Sequence, residues 1–287
     1  MKLLKSKIYD IVALVIFVAL LIVGTKLDFK ISDKLYSEKN WFNFFVAAIA
    51  KMPVYFIAMY ACVNLFVSAL KKENKADKII MAIIYAGGAC ICGMFAFEDI
   101  VEVFIDGVFK YLIALVVGAL ASGYLYYVLK GKLDEDILKY KKEYLTIIIS
   151  VAIIVVITFA IKSFMDRTRF VDFLQREGSF TEWYKEGTGG DSMPSGHVAM
   201  SMALVSLLPL VKKIDLFKGK DWLYYPIILV YTLLVGLSRI AFGMHYLSDV
   251  AVGALVALCV SRCVTWILYG FSEEKIDIKE GCILNRL

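Results

Sequence analysis

Two histidines are all that this 287-residue chain contains, and each stands beside glycine, serine and charge in an otherwise oily sequence. His197 closes the tetrapeptide Pro194-Ser195-Gly196-His197. His245 lies in SRIAFGMHYLSDV, with Arg239 ahead of it and Asp249 four residues behind. An imidazole titrates near neutral pH, so it can serve as a nucleophile or as a general acid and base. Residues four apart share a helix face. The Asp249 carboxylate is therefore expected to accept the His245 ring N–H, fix its tautomer and leave the other nitrogen free to attack. His197, on another helix, is then available as the acid for a leaving group.

The surroundings of the two rings suit an anion. Pro194 fits the first turn of a helix or the residue just before it. Ser195 can cap that helix, leaving the N–H groups of Gly196 and His197 pointing outward, and a helix start with free N–H groups binds anions. Gly196 lets the backbone come close to a ligand. A third stretch, KSFMDRTRF, adds Lys162 and Arg169. With Arg239 they make three cations matched to phosphate oxygens, and the arginines supply bidentate geometry. The chemistry these residues point to is phosphoryl transfer through a phosphohistidine.

The elements that must position them are membrane helices. The chain is 60% hydrophobic, with a mean hydropathy of +0.73, whereas soluble domains hold about half apolar residues. Eight apolar segments are expected at 8–25, 43–70, 78–97, 108–130, 145–162, 195–211, 223–242 and 245–269, all helical because backbone polar groups go unsatisfied otherwise in lipid. The first is expected to be an uncleaved span. Lysine-rich connections (MKLLKSK, KKENKADK, KGKLDEDILKYKKEY, VKKIDLFKGKD) alternate with poorer ones, which places them, and both termini, on the cytoplasmic side. Segment 26–42 is then an external loop despite its four lysines, and both histidines reach the outer boundary. Trp183 and Tyr184 suit an interfacial belt there, and Trp222, Tyr224 and Tyr225 the opposite belt. The net charge of +5 belongs to orientation, not to a nucleic-acid partner. The six cysteines show neither a disulfide framework nor zinc spacing, Cys90 and Cys92 are expected only to pack, and Cys282 forms no prenylation box.

In these motifs the chain resembles the type 2 phosphatidic acid phosphatase superfamily of integral membrane lipid phosphatases. Its three signatures are a Lys with Arg-Pro seven residues on, Pro-Ser-Gly-His, and Ser-Arg, five residues, His, three residues, Asp. The second and third are met in full at 194–197 and 238–249. The first is met at Lys162 and Arg169 but departs at Phe170, where the family usually has proline. The apolar segments make an all-α, polytopic transmembrane helical bundle of about eight spans the expected fold, and the resemblance implies how it divides. Residues 78–270 would form a six-helix phosphatase core, 1–77 two additional helices and 271–287 a cytoplasmic tail. It implies His245 as nucleophile, Asp249 as its orienting group, and His197 as proton donor to the leaving oxygen and later activator of water. Lys162, Arg169, Ser195, Gly196 and Arg239 would hold the phosphate. No metal or other cofactor is implied, in keeping with a sequence that offers no carboxylate cluster suited to magnesium. The expected substrate is a lipid phosphate such as undecaprenyl diphosphate, phosphatidylglycerophosphate or phosphatidic acid, met among the membrane lipids of a bacterial plasma membrane. A lipid phosphotransferase using the same histidines, or a non-enzymatic lipid-binding or transport protein, are the alternatives. Among the other charges, Lys51 is expected to snorkel outward, with contact to a substrate head group as the alternative, Asp166, Arg167, Asp172 and Arg176 to be solvated or paired in a loop, and Asp191 to support the loop before Pro194.

Overall fold

The computed structural model describes residues 2–37, 41–130, 139–187, 189–214 and 220–270. The tail 271–287 with Cys282, and parts of two lysine-rich connections, lie outside them. The described residues form helices and no strands: α1 Lys2–Leu35, α2 Trp41–Ile49, α3 Met52–Leu70, α4 Lys75–Glu102, α5 Val108–Leu129, α6 Lys141–Met165, α7 Phe170–Leu174, α8 Gly196–Ala203, α9 Leu208–Val211, α10 Tyr224–Ala241 and α11 Leu247–Tyr269. Seven helical stretches among them are long and apolar enough to cross a membrane, so the protein is an all-α polytopic bundle.

The expected eighth span differs from the rest. Gly196–Val211 is shorter and is broken into α8, a 3₁₀ turn at Leu204–Leu207, and α9. Pro209, early in α9, cannot donate a backbone bond and its ring crowds the carbonyl four residues back. The segment runs through the protein core: Val198 to Leu208 are all buried. It still connects the two ends of the bundle. Ser195 N–H bonds Asp249 O at one end (3.0 Å), and Lys213 pairs with Glu143 at the other (2.5 Å).

Two further expectations are corrected. The external loop 26–42 is mostly helix, because α1 continues unbroken to Leu35. Its polar end is amphipathic: Gly24, Asp28 and Ser32 fall on one buried stripe at four-residue spacing, while Lys26, Lys30 and Lys34 face outward. Segment 43–70 is interrupted at Ala50 and Lys51, ahead of Pro53 in the first turn of α3. The carbonyls freed there, Ile49 O and Ala50 O, accept the Tyr231 hydroxyl at 3.2 and 3.1 Å.

The end of the bundle away from the histidines is fastened by ion pairs. Asp10 bonds Arg262 (2.5 and 2.7 Å) and the Tyr225 hydroxyl (2.8 Å). Tyr225 is therefore buried and not part of an interfacial belt, whereas Trp222 is 48% exposed. α4 begins with Asn74, whose side chain accepts from Ala76 N–H and Asp77 N–H, an N-cap that satisfies donors with no partner inside the helix. α4 and α5 touch backbone to backbone where Gly93 meets Gly118. A Cβ on Gly118 would lie 2.4 Å from Gly93 C and Met94 N. Small residues at such a contact let membrane helices approach closely.

Gly118→Ala is therefore expected to lower thermal stability in detergent, by about 1–3 kcal/mol, the usual cost of overpacking. Gly123→Ala, where a Cβ meets nothing within 4 Å, should leave the melting temperature unchanged or slightly raised.

Candidate active site

A cavity of about 540 Å³ opens at one end of the bundle, and six of the eight residues singled out from the sequence line it: Lys162, Arg169, Gly196, His197, Arg239 and His245. Five segments deliver them. α6 brings Lys162 in its last turn, the link to α7 brings Arg169, the start of α8 brings Gly196 and His197, the last turn of α10 brings Arg239, and the link from α10 to α11 brings His245. Ser195 and Asp249 stand just behind the wall, both fully buried.

Ser195 holds the N-cap position of α8 with extended dihedrals (φ −70°, ψ 109°), but its side chain makes no capping bond, contrary to expectation. Among the described residues its buried Oγ has no partner, and the same is true of Arg169 Nε, Arg239 Nε and Thr158 Oγ1. A buried polar atom left unpaired costs about 1–3 kcal/mol. These atoms belong to residues in or directly behind the cavity wall. A Cβ on Gly196 would meet nothing nearer than 3.9 Å, so the backbone at the start of α8 is open to a ligand. The arrangement asks for a compact group rich in acceptor oxygens.

His245 is oriented by a residue that the sequence reading overlooked. Its Nδ1 lies 2.6 Å from the Ser192 carbonyl and 4.0 Å from Asp249 Oδ2. A carbonyl can only accept, so Nδ1 carries the hydrogen and Nε2 keeps its lone pair. Direct contact between Asp249 and the ring is thus corrected. The physical reason is that α11 starts at Leu247 with Tyr246 as its N-cap, so His245 precedes the helix and the four-residue spacing does not place it over Asp249. Asp249 instead reaches back to Tyr246 N–H (2.7 Å), as acidic residues in a first helical turn do. It also accepts the Ser192 hydroxyl (2.6 Å), holding the very residue whose carbonyl holds the ring.

The other Asp249 oxygen pairs with Arg167 at 2.5 Å. Arg167 was expected in solvent or in a loop ion pair, yet its side chain is 0% exposed. It donates to Asp28 (2.9 Å), Ser248 Oγ (2.8 Å) and Thr181 O (3.0 Å), and its guanidinium lies 4.2 Å from the Tyr246 ring centroid. Asp28, from the extended end of α1, also accepts Ser248 N–H (2.9 Å). The glycine-rich loop leading to Ser192 is laid on this same turn. Gly187, Gly190 and Ser192 donate to Met165 O, Asp166 O and Arg167 O at 2.7, 2.9 and 2.9 Å. A Cβ on Gly190 would sit 2.4 Å from Arg167 O, which accounts for glycine there.

Phe170, where a proline was expected, occupies the first position of α7, a position that accepts proline. The phenyl ring packs instead against Phe29, Tyr36 and Tyr246, with centroids 5.6, 5.7 and 6.3 Å away, tying the Arg169 turn to α1. Asp191 bridges two of the cavity's cations. Its carboxylate lies 2.7 Å from Arg169 and 3.6 Å from Lys162, and Lys162 also donates to its backbone carbonyl. Lys51 does not snorkel outward. It lines the cavity and pairs with Asp99 (2.9 Å) and Glu98 (3.2 Å), and Asp99 Oδ2 lies 3.3 Å from His197 Nε2. The signal for Glu98 and Asp99 was present in FAFEDIVEVF, because ionisable groups at the end of an apolar run usually serve a site.

Burial first, and then the charges of Lys162, Arg239 and Arg169, push the His245 imidazole well below its ordinary value of 6.5. It is neutral at pH 7, as a nucleophile must be. Burial acts to raise the Asp191 carboxyl, but Lys162 and Arg169 outweigh it and hold the group below its ordinary value.

The family model described as PAP2 superfamily matches residues 143–273, which takes in every one of the eight residues. No curated protein and no solved structure gives a significant match.

Two outcomes follow from this geometry. Asp28→Ala leaves a buried guanidinium short of a partner, so stability is expected to fall by about 3–5 kcal/mol, and activity with it, although Asp28 does not line the cavity. Thermal unfolding and phosphate release in detergent measure both. A nucleophilic role for His245 would set the acid limb of kcat/KM below pH 6.5. In Lys162→Met, loss of a nearby positive charge favours the protonated ring, so the limb should move to higher pH than in wild type. Comparing the two on one substrate cancels the substrate's own ionisation.

Proposed function

We propose that this chain, which across residues 143–273 belongs to the PAP2 superfamily, is a phosphatase that hydrolyses a lipid phosphate or diphosphate through a phosphohistidine on His245. The superfamily supports a phosphatase-type hydrolase in general. The finer reading rests above all on one observation: Ser195 Oγ, Arg169 Nε and Arg239 Nε are polar atoms without partners among the described residues, and they belong to residues in or directly behind the wall of the cavity that His245 also lines.

In this reading the phosphate oxygens take up Arg239, Arg169, Lys162, Ser195 and the open backbone at Gly196. His245 Nε2 attacks phosphorus, and the cationic cradle stabilises charge spreading over the equatorial oxygens. The P–O bond to the lipid breaks and His197 supplies the proton that makes the leaving oxygen an alcohol (or a lipid monophosphate). Water then attacks the phosphohistidine, returns a proton to His197, and frees His245 and inorganic phosphate. Asp249 works at one remove, by holding Ser192. The cavity sits at the end of the bundle, so an acyl or prenyl chain can remain in lipid while its head group reaches the site. Undecaprenyl diphosphate, phosphatidylglycerophosphate and phosphatidic acid all have this form.

The lysine-rich connections meet the bundle at the opposite end, which under the positive-inside bias assigns that end, both termini and the tail 271–287 to the cytoplasm. The site would then face the extracytoplasmic side of a bacterial plasma membrane. Residues 78–270 are taken as the phosphatase core, and residues 1–77 as an addition that supplies Asp28 and Lys51.

Phosphate release in detergent with EDTA present, from those three lipids and a soluble phosphate ester, tests the proposal. Release from at least one lipid is expected in wild type, falling to background in His245→Ala. Undiminished release from a folded His245→Ala protein would overturn it.

A further inference from the structure

The two histidines are held by different kinds of partner. His245 Nδ1 faces a neutral backbone carbonyl. His197 Nε2 faces the Asp99 carboxylate at 3.3 Å. Asp99 is on α4, outside the segment 143–273 matched by the family model, and its side chain is only 11% exposed. Its other oxygen is held by Lys51 at 2.9 Å, and Lys51 is steadied in turn by Glu98 at 3.2 Å. The carboxylate is therefore held by Lys51 from the junction of α2 and α3, while its other oxygen faces the ring.

Resting on the phosphatase reading above, we propose that Asp99 is the positioning residue of the general acid: it fixes the His197 ring through Nε2–H and leaves Nδ1 to exchange the proton with the leaving oxygen. A carbonyl partner leaves a ring neutral and nucleophilic, whereas a carboxylate partner supports the imidazolium that must form when a proton is carried. The other cation near the ring, Arg239, belongs to the phosphate cradle and is neutralised when the anion binds. Burial and Arg239 oppose protonation of the free ring and Asp99 alone favours it; in the complex the phosphate oxygens join Asp99 in favouring a protonated His197. In the first half-reaction the proton on Nδ1 passes to the leaving oxygen as the P–O bond breaks. In the second, Nδ1 takes a proton from the attacking water as the P–N bond breaks. Asp99 keeps its charge throughout and acts through the His197 ring.

The test is dependence on the leaving group, because help from a general acid matters most when the departing oxygen is strongly basic. In kcat/KM, which reports the first half-reaction, Asp99→Asn should lose about 10²-fold on phosphatidic acid, the lower end of a general-acid contribution. On p-nitrophenyl phosphate, whose aryloxide leaves without a proton, it should lose little. The retained aryl activity shows that the protein is folded and the cradle intact. Asp99→Glu should restore part of the lipid activity. Equal losses on both substrates, or no loss on either, would overturn the role of Asp99. His197→Ala separates this from the underlying reading. If its losses also ignore the leaving group, His197 is not the acid and the phosphatase mechanism itself fails. If His197→Ala is selective and Asp99→Asn is not, only the assignment of Asp99 fails.

Discussion

A single buried guanidinium organises this protein. Arg167 reaches into a space closed by α1 and α11 and satisfies Asp28, Ser248, Asp249 and the Thr181 carbonyl at once. An isolated charge in such a place would cost several kcal/mol, and two carboxylates with converging hydrogen bonds are what make it tolerable. The consequences spread along the chain. Asp249, held by Arg167, fixes Ser192. Ser192 fixes the His245 tautomer, and the Asp249 carbonyl receives Ser195 N–H at the start of the helix carrying His197. The long first helix is part of the same construction, because its polar end supplies Asp28 and the aromatic ring that meets Phe170.

The cavity is arranged around charge that its own residues do not fully balance. Asp191 spans Arg169 and Lys162, yet donors on Arg169, Arg239 and Ser195 are still unmatched among the described residues. An incoming phosphate brings more acceptors than one carboxylate can and should displace Asp191 from Arg169. Burial and the same cations keep His245 unprotonated, so in the proposed mechanism the groups that would bind the anion also keep the nucleophile ready.

Much of this was legible in the sequence, and the exceptions share a cause. Apolar runs of about 20 residues announced the long helices, and the spacing of His197, Arg239 and His245 announced the site, because both signals are local. Burial of a charge is not local. Arg167 and Asp28 are 139 residues apart, and nothing in DRTR distinguishes an arginine in the core from Arg169 two positions on. The same blindness made segment 26–42 read as a loop, since lysines on one face of α1 masked the buried stripe on the other. The pairing of His245 with Asp249 failed for a finer reason: four-residue spacing implies contact only inside a helix, and α11 begins two residues after His245. Lys51 was expected to face outward and Asp99 was passed over, because their partners lie on segments distant in sequence.

The most direct test of the account is a structure with orthovanadate, which adopts the five-coordinate geometry of a phosphoryl group in transfer. Vanadium is expected to be bonded to His245 Nε2, with Nδ1 still donating to the Ser192 carbonyl and Arg169 turned from Asp191 to the vanadate oxygens. Vanadium bonded to His197 or to Nδ1 of His245, or an anion held with no bond to either histidine, would contradict it.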